Sequence, residues 1–214
     1  MDSRLIGDAH EFIKHVFAND HSGHDYFHSL RVWRLATRIA RQENADLETV
    51  QLAALLHDVD DIKLSPDTHE HQNRTNDFLC SHGVPENRAR AICEIISEVS
   101  FAGTDSVIPS TVEGQCVQDA DRLDALGAIG IARTFAYGGN HGRPMHDPDI
   151  APTPDMAAEE YHNHLSTSIN HFHEKLFLLT DLMNTRTAKN IAMEREHYMR
   201  EHVARFLDEW DGVR

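Results

Sequence analysis

The sequence predicts an all-α fold, built as one bundle of about eight or nine helices. Apolar residues recur at spacings of three and four along most of the chain, and no useful stretch alternates as a β-strand does. The chain has 214 residues, which is enough for one substantial core. Hydrophobic residues make up 40% and charged residues 26%, as in ordinary globular proteins, so we expect one domain over residues 1–214.

Two helices are predicted from apolar stripes near the amino terminus. The first covers residues 3–18 and ends at the helix-breaking run 19–23. The second covers about residues 27–41, and His28 lies on its apolar face. A single inward histidine is more often a satisfied core residue than a metal ligand, so His28 alone does not indicate a site.

The third predicted helix, over residues 47–58, has a central run of five residues that is apolar on every side, which is typical of a fully buried helix. It ends in His57 and Asp58, and Asp60 and Asp61 follow. Burying these groups is costly unless their charges are paired or a cation is bound, and a divalent metal would satisfy them. The alternative is a helix end that surfaces into a solvated acidic turn, and this stretch alone supports both equally.

Two further helices are predicted next, a more polar one over residues 68–82 and one that starts at residues 84–86, with Pro85 in its first turn. Residues 116–135 then place three acids, Asp119, Asp121 and Asp124, within a stretch that belongs to a core. These acids need cationic partners, and Arg122 alone cannot neutralise them.

A long irregular loop is predicted over residues 137–154, which hold three glycines and four prolines. Loops of this length in compact domains are typically functional lids or disordered segments, and we expect a lid. Two long helices within about residues 155–212 are expected to close the chain. The first has its apolar stripe from Leu165 to Met183, and the second from Ala188 to Trp210.

Composition excludes several partners. A formal charge of −15 argues against binding to nucleic acid or to an anionic membrane surface. No apolar run approaches transmembrane length, and the amino terminus lacks the apolar core of a signal peptide. The cysteines, Cys80, Cys93 and Cys116, have no paired spacing, so we expect buried free thiols and a cytoplasmic protein.

The buried polar residues form one constellation from three helices: His28, the pair His57–Asp58, and one aspartate of the 119–124 stretch. Two imidazoles and two carboxylates suit a divalent metal of intermediate softness, with open positions for water or substrate. Mn²⁺ is the expected ion, although Fe²⁺, Ni²⁺, Co²⁺ or Mg²⁺ would satisfy the same ligands.

With their flanking residues, these positions resemble the HD-domain phosphohydrolase superfamily over residues 20 to about 135. The resemblance is carried by His-x-x-Arg-Val at residues 28–32, by Leu-Leu-His-Asp at 55–58 and by Asp-Ala-Asp-Arg-Leu-Asp at 119–124. Further segments look like a subgroup of small bacterial HD hydrolases, some of which split nucleoside triphosphates into monophosphate and pyrophosphate: 95–103, 137–139 and 175–185.

The resemblance implies metal ligation by four residues: His28, His57, Asp58 and Asp121. Asp121 is preferred to Asp119 because it opens the Asp-x-x-Asp-Ala element of the family. Asp61 stands three positions after the tandem aspartate, where some members carry a general base that positions water. The commoner residue there is glutamate.

The function implied is that of a metal-dependent phosphohydrolase acting on a nucleotide, hydrolysing a (deoxy)nucleoside triphosphate to monophosphate and pyrophosphate. Asp61 would orient or deprotonate the water. His24 would protonate the leaving group, with a solvated loop residue as the alternative reading. Candidates to hold phosphate oxygens, with surface or packing cations as the alternative reading, are Lys63, Arg122, Lys175 and Arg195.

Alternatives remain open at this point. The substrate could be a nucleoside monophosphate or a cyclic nucleotide, or the chain could be a catalytically silent metal-binding regulatory domain. The presence of all four ligands and Asp61 favours an enzyme. A second ion at His71 or His82 is less favoured because neither histidine lies in a buried apolar context. The chain could be a monomer or a homodimer.

Overall fold

The computed structural model describes residues 3–18, 25–61, 67–68, 71–99, 107–153 and 166–213. Within these ranges the chain forms nine α-helices and one short 3-10 helix and no β-strand, which confirms the predicted all-α class. The helices are α1 (Ser3–Val16), α2 (Tyr26–Glu43), α3 (Leu47–Leu56), α4 (Asn73–Ser81), α5 (Glu86–Val99), α6 (Val112–Asp124), α7 (Gly127–Asn140), α8 (Ser168–Glu174) and α9 (Arg186–Trp210), and the 3-10 helix is Leu176–Leu178.

The described residues fold into two compact units. The amino-terminal unit holds α1 to α5 and α6 as far as Asp121. The carboxy-terminal unit holds the described residues from Arg122 onward. The expectation of one domain over residues 1–214 stays a prediction.

Helix α3 lies at the centre of the amino-terminal unit, where it packs against α1, α2 and α5. Every side chain from Leu52 to Leu56 is fully buried, as the sequence predicts for a helix that is apolar on all sides. Aspartates fix the starts of two helices, because the Asp25 carboxylate accepts the His28 N–H and the Asp46 carboxylate accepts the Thr49 N–H, each at 2.8 Å. These caps set where α2 and α3 begin.

Helix α4 is shorter than the sequence predicts. The expected helix over 68–82 begins only at Asn73, because Gln72 adopts the left-handed conformation with φ 48°. Helix α5 starts at Glu86, directly after Pro85, and buries the predicted stripe that includes Ile92 and Ile95.

The expectation of an irregular loop from residue 137 is wrong at its start, since α7 continues to Asn140. Gly138 serves packing within the carboxy-terminal unit. A Cβ at Gly138 would lie 2.3 Å from the Ser168 hydroxyl oxygen, so only glycine permits this approach of α7 and α8. The described residues beyond the helix are bonded to α8, as the Ser168 N–H donates to the Pro144 carbonyl at 2.9 Å. The lid role stays a prediction.

The first of the two closing helices is also shorter than expected. Its predicted stripe spans 165–183, but α8 ends at Glu174, and Lys175 leaves the helical conformation at φ −139° and ψ −56°. The described stripe residues are nevertheless buried: Ile169, Phe172, Leu176, Leu179 and Met183. The spacing therefore indicated burial correctly and helical continuity wrongly. Helix α9 agrees with the second prediction over Arg186–Trp210.

The cysteines are free thiols, but they are not all buried as expected. Cys116 is buried, Cys93 is half-buried and Cys80 is exposed. Cys80 lies on α4, whose buried residues are limited to Thr75, Phe78 and Leu79. Among the helices that the structure describes, none combines the length and the apolarity needed to cross a bilayer.

Candidate metal centre

Four side chains from α2, the end of α3 and α6 converge within the amino-terminal unit. His28 Nε2 lies 3.3 Å from Asp58 Oδ2 and 3.3 Å from Asp121 Oδ1. His57 Nε2 lies 3.2 Å and 3.9 Å from the same two oxygen atoms. The two imidazole rings meet edge to face, with centroids 5.3 Å apart. The predicted constellation is thus brought together, with Asp121 as the aspartate from α6.

Burial within the cluster is graded. The side chains of His28 and His57 are 1% and 3% exposed, and that of Asp58 is 11% exposed. Asp121 is the most accessible, at 25%. Water or a substrate can therefore reach the cluster from the side of Asp121, while both imidazoles stay shielded from solvent.

The tautomer of His57 is set by the end of its own helix. Its Nδ1 lies 2.9 Å from the Ala54 carbonyl oxygen. Since a carbonyl only accepts hydrogen bonds, Nδ1 carries the hydrogen, and a neutral ring then has its lone pair on Nε2. That atom faces the Asp58 carboxylate, so two acceptors oppose each other unless a cation lies between them.

The electrostatics of the cluster favour a cation. Burial opposes the charged form of His57, but the Asp58 carboxylate, and more weakly that of Asp121, outweigh it and raise the pKa of His57 above its usual range. Burial opposes ionisation of Asp121 as well, yet a hydrogen bond and the positive charge from His28 lower the pKa of Asp121. Both shifts favour ionised carboxylates beside a positively charged group, so the cluster stabilises positive charge.

The donor set fits a divalent metal ion. Ligand atoms of His28, His57 and Asp58 lie within 4.8 Å of one another. Two ligands bonded to one ion at about 2.1 Å lie about 3.0 to 4.2 Å apart, depending on the angle between them. The four measured nitrogen–oxygen distances, 3.2 to 3.9 Å, fall within that range. Two nitrogen and two oxygen donors suit Mn²⁺, Fe²⁺, Co²⁺, Ni²⁺ or Zn²⁺.

Comparison with known proteins agrees with this reading. The HD domain family model matches residues 25–126. The uncharacterized protein YpgQ of Bacillus subtilis is 34% identical over 204 residues, which cover 94% of this chain and 92% of YpgQ. The chain belongs to the HD-domain family.

Solved structures of relatives share the whole fold of this HD-domain chain. A Lactobacillus plantarum protein is 41% identical with a TM-score of 0.84, and 99% of each chain is covered. An HD-superfamily hydrolase from Bacillus thuringiensis is 40% identical with a TM-score of 0.80, covering 99% of this chain and 100% of that one. YpgQ in complex with ADP is 34% identical with a TM-score of 0.77, covering 98% and 100%. The chain is a metal-dependent phosphohydrolase of the HD superfamily.

The other acids of this HD domain have separate positions. Asp61 is half-buried, and its N–H donates to the Asp58 carbonyl at 3.1 Å, so it lies in the turn that follows Asp58. Asp119 is fully buried on α6. Asp124 pairs with Arg133 of α7 at 2.6 Å.

The predicted phosphate-binding cations have mainly structural contacts in the described residues. Within the carboxy-terminal unit, Arg122 donates to the Leu182 carbonyl and Arg195 donates to the Leu123 carbonyl. Arg195 also lines a surface cavity of about 330 Å³. Lys175 is half-buried at the end of α8. Lys63 and His24 lie outside the described residues. Phosphate binding by the four cations stays a prediction.

Two features of the site could not be read from the sequence. The Ala54 carbonyl that orients His57 is a main-chain atom, which any residue would supply. The Asp60 carboxylate accepts hydrogen bonds from the first turn of α4, and the local sequence pattern does not show this contact. Of the histidines considered for a second ion, His71 is exposed and His82 pairs with Asp8 at 3.8 Å.

Proposed function

We propose that this HD-domain protein is a cytoplasmic enzyme that hydrolyses a (deoxy)nucleoside triphosphate to the monophosphate and pyrophosphate, with Mn²⁺ as its ion. The observation that carries the proposal is the buried cluster of two imidazoles and two carboxylates that is open on the side of Asp121. The ADP bound to YpgQ, a relative with 34% identity, supports a nucleotide as the ligand.

The residues of the cluster are proposed to bind the ion, and their surroundings orient and shield them. His28, His57, Asp58 and Asp121 would hold the ion, which when bound supplies Lewis-acid activation of water and of a phosphoryl oxygen. The Ala54 carbonyl keeps the His57 hydrogen on Nδ1, so that Nε2 remains available as a donor of electrons. The shielding of both imidazoles keeps competing water away from the ligand atoms.

Asp61 is proposed to orient and deprotonate the attacking water. Its main-chain bond to the Asp58 carbonyl at 3.1 Å keeps it in the same turn as a ligand. Proton transfer by a positioned carboxylate typically contributes about 10²- to 10⁴-fold to a rate. His24 as an acid for the leaving group, and Lys63, Arg122, Lys175 and Arg195 as phosphate ligands, belong to the same proposal.

The test is hydrolysis of a panel of ribo- and deoxynucleoside triphosphates, monophosphates and cyclic nucleotides, with products separated by ion-exchange chromatography. The metal-stripped protein is reconstituted with Mn²⁺ and compared with Asp58→Ala. The matched control is Asp77→Ala, which removes an exposed aspartate on α4. We expect pyrophosphate release that needs Mn²⁺, falls at least about 100-fold in Asp58→Ala and persists in Asp77→Ala.

Other products would move or overturn the proposal. Inorganic phosphate from monophosphates, or opening of a cyclic nucleotide, would replace the substrate and keep the metal centre. Equal pyrophosphate release by Asp58→Ala would contradict catalysis at this cluster. Failure to hydrolyse any member of the panel would contradict a nucleotide substrate.

A further inference from the structure

Asp60 has a buried carboxylate and lies in the turn of residues 57–61, which we call the metal turn. It does not belong to the cluster of His28, His57, Asp58 and Asp121. It is 5% exposed and lies two residues after the ligand Asp58. Its Oδ1 accepts the N–H of Arg74 at 3.2 Å, and its Oδ2 accepts the N–H of Thr75 at 3.0 Å. Both donors belong to the first turn of α4, so Asp60 joins the metal turn to the start of another helix.

Helix α4 needs such a partner. The first N–H groups of a helix have no acceptor inside the helix, and the residue before it usually supplies one. Gln72 stands at that position, is left-handed and makes no capping bond with its side chain. The Asp60 carboxylate therefore caps α4 from a distant part of the chain, and the positive end of the helix stabilises its charge.

We propose that Asp60 is a positioning residue of the metal centre, which holds His57 and Asp58 in ligand geometry by anchoring their turn to the amino terminus of α4. Two main-chain hydrogen bonds are described within the turn itself. The Val59 N–H donates to the Leu56 carbonyl and the Asp61 N–H to the Asp58 carbonyl, each at 3.1 Å. The anchor thus adds two charge-assisted bonds to two main-chain bonds.

Helix α4, to which Asp60 is bonded, is itself held by α5 within the amino-terminal unit. The Gln72 side-chain amide donates to the Cys93 carbonyl of α5 at 3.1 Å, which fixes the start of α4. Helix α5 packs against α3, the helix that ends at His57. A continuous series of contacts therefore joins the turn through Asp60 to α4, to α5 and back to α3, the helix that precedes His57.

The anchor also separates the charges of neighbouring acids. Three carboxylates within four residues would compete for one cation and repel one another. The amino terminus of α4 stabilises the negative charge of Asp60, while Asp58 faces the imidazoles. Asp60 is therefore a capping group whose effect is on metal affinity, in addition to its effect on α4.

The test measures Mn²⁺ binding to metal-stripped protein by isothermal titration calorimetry, for Asp60→Ala and Asp60→Asn. The matched control is Thr167→Ala, which removes another buried cap whose hydroxyl accepts the Asn170 N–H at 3.0 Å, in the carboxy-terminal unit. We expect a Kd for Mn²⁺ at least tenfold higher in Asp60→Ala and within twofold of the unaltered protein in Thr167→Ala, although both variants lower the urea midpoint. Asp60→Asn keeps one acceptor oxygen, so its Kd should lie between these values.

A kinetic measurement separates positioning from direct chemistry. Raising the Mn²⁺ concentration should restore kcat of Asp60→Ala to near that of the unaltered protein. A kcat that stays low at saturating Mn²⁺, or an unchanged Kd in folded Asp60→Ala, would overturn the proposal. If Asp60→Ala does not fold, Asp60→Asn decides by the same Kd, and failure of both to fold would assign Asp60 to stability alone. The calorimetry needs no substrate, so the proposal rests on the metal centre and can stand if nucleotide hydrolysis fails.

Discussion

Buried carboxylates in the two units are neutralised by different partners. In the amino-terminal unit, Asp58 faces the imidazoles of His28 and His57. In the carboxy-terminal unit, Asp124 faces the guanidinium of Arg133. An arginine is always charged, so the second pair is complete within the chain, whereas an imidazole is charged only when it is protonated. The first group combines two carboxylates with two titratable nitrogen donors, and that donor set distinguishes a candidate metal centre from a structural ion pair.

Glu174 is another buried carboxylate of the carboxy-terminal unit that accepts hydrogen bonds from donors within the chain. It is 6% exposed, and its carboxylate accepts the Ser166 hydroxyl at 2.7 Å and the Thr153 N–H at 3.2 Å. Buried carboxylates that find charged or hydrogen-bonding donors inside the chain serve the fold. The cluster of Asp58 and Asp121 is left with titratable donors, and it is there that an ion is expected.

The largest expected effect comes from removing an imidazole. His57→Ala removes a proposed ligand whose side chain is almost fully buried. At the Mn²⁺ concentration that saturates the unaltered enzyme, we expect the hydrolysis rate to fall at least about 100-fold. Steady-state rates measure it, with His141→Ala, which removes an exposed histidine, as the control. Equal losses of hydrolysis rate in both variants would contradict a role of the cluster in catalysis.

The ion pair should affect stability and leave the metal centre unchanged. Arg133→Ala leaves the Asp124 carboxylate, whose side chain is 2% exposed, without its guanidinium. We expect the free energy of unfolding to fall by about 2–3 kcal/mol, below the usual range for a buried pair because Arg133 is partly exposed. Urea denaturation measures it. Adding Asp124→Asn to the same chain should recover part of the loss, and an additive loss would contradict the pairing.

A smaller effect is expected at Glu174. The change Glu174→Gln replaces one acceptor oxygen by a donor, so one of the two bonds from Ser166 and Thr153 is lost. The free energy of unfolding should fall by about 1–2 kcal/mol in urea denaturation, with Mn²⁺ affinity unchanged. Glu201→Gln, at an exposed position of α9, is the control and should change stability little. A loss of Mn²⁺ affinity in Glu174→Gln would place this acid with the metal centre.

The smallest effect concerns the thiols of Cys93 and Cys116, and it is an effect on reactivity rather than on stability. Burial raises the pKa of the Cys116 thiol to about 12 and that of the Cys93 thiol to about 11. A raised pKa lowers the thiolate fraction at pH 8, so both thiols should react slowly with a disulfide reagent, and the exposed Cys80 should react first. One fast thiol in the native protein and three in urea is the expected count, and three fast thiols in the native protein would contradict the burial.

The clustered side chains could be predicted because they lie on, or directly after, helices whose apolar pattern is strong. His28 follows the stripe of α2, and His57 and Asp58 end a helix that is apolar on every side. These patterns place each residue on a buried face, and the family resemblance selects Asp121 from the acids of α6. The patterns placed these residues at a buried site because His28 and Asp121 lie within regular helices and His57 and Asp58 directly follow α3.

Other features depend on tertiary packing that local patterns do not contain. Gly138 suggested a loop, yet it permits the close approach of Ser168 to a helix. The late start of α4 depends on the backbone of Gln72, and the direction of Asp60 depends on that start. The stripe around Phe172 gave burial and missed the break at Lys175, because apolar spacing reports which side faces a core and not whether hydrogen bonds continue.

The most direct measurement is the Mn²⁺ content of the unaltered protein, Asp58→Ala and Asp124→Asn after dialysis, determined by inductively coupled plasma mass spectrometry. The comparison of the two units predicts bound Mn²⁺ in the unaltered protein and in Asp124→Asn, and none in Asp58→Ala. Retention of the ion by Asp58→Ala, or its loss from folded Asp124→Asn, would contradict the assignment of the metal centre to the cluster of His28, His57, Asp58 and Asp121.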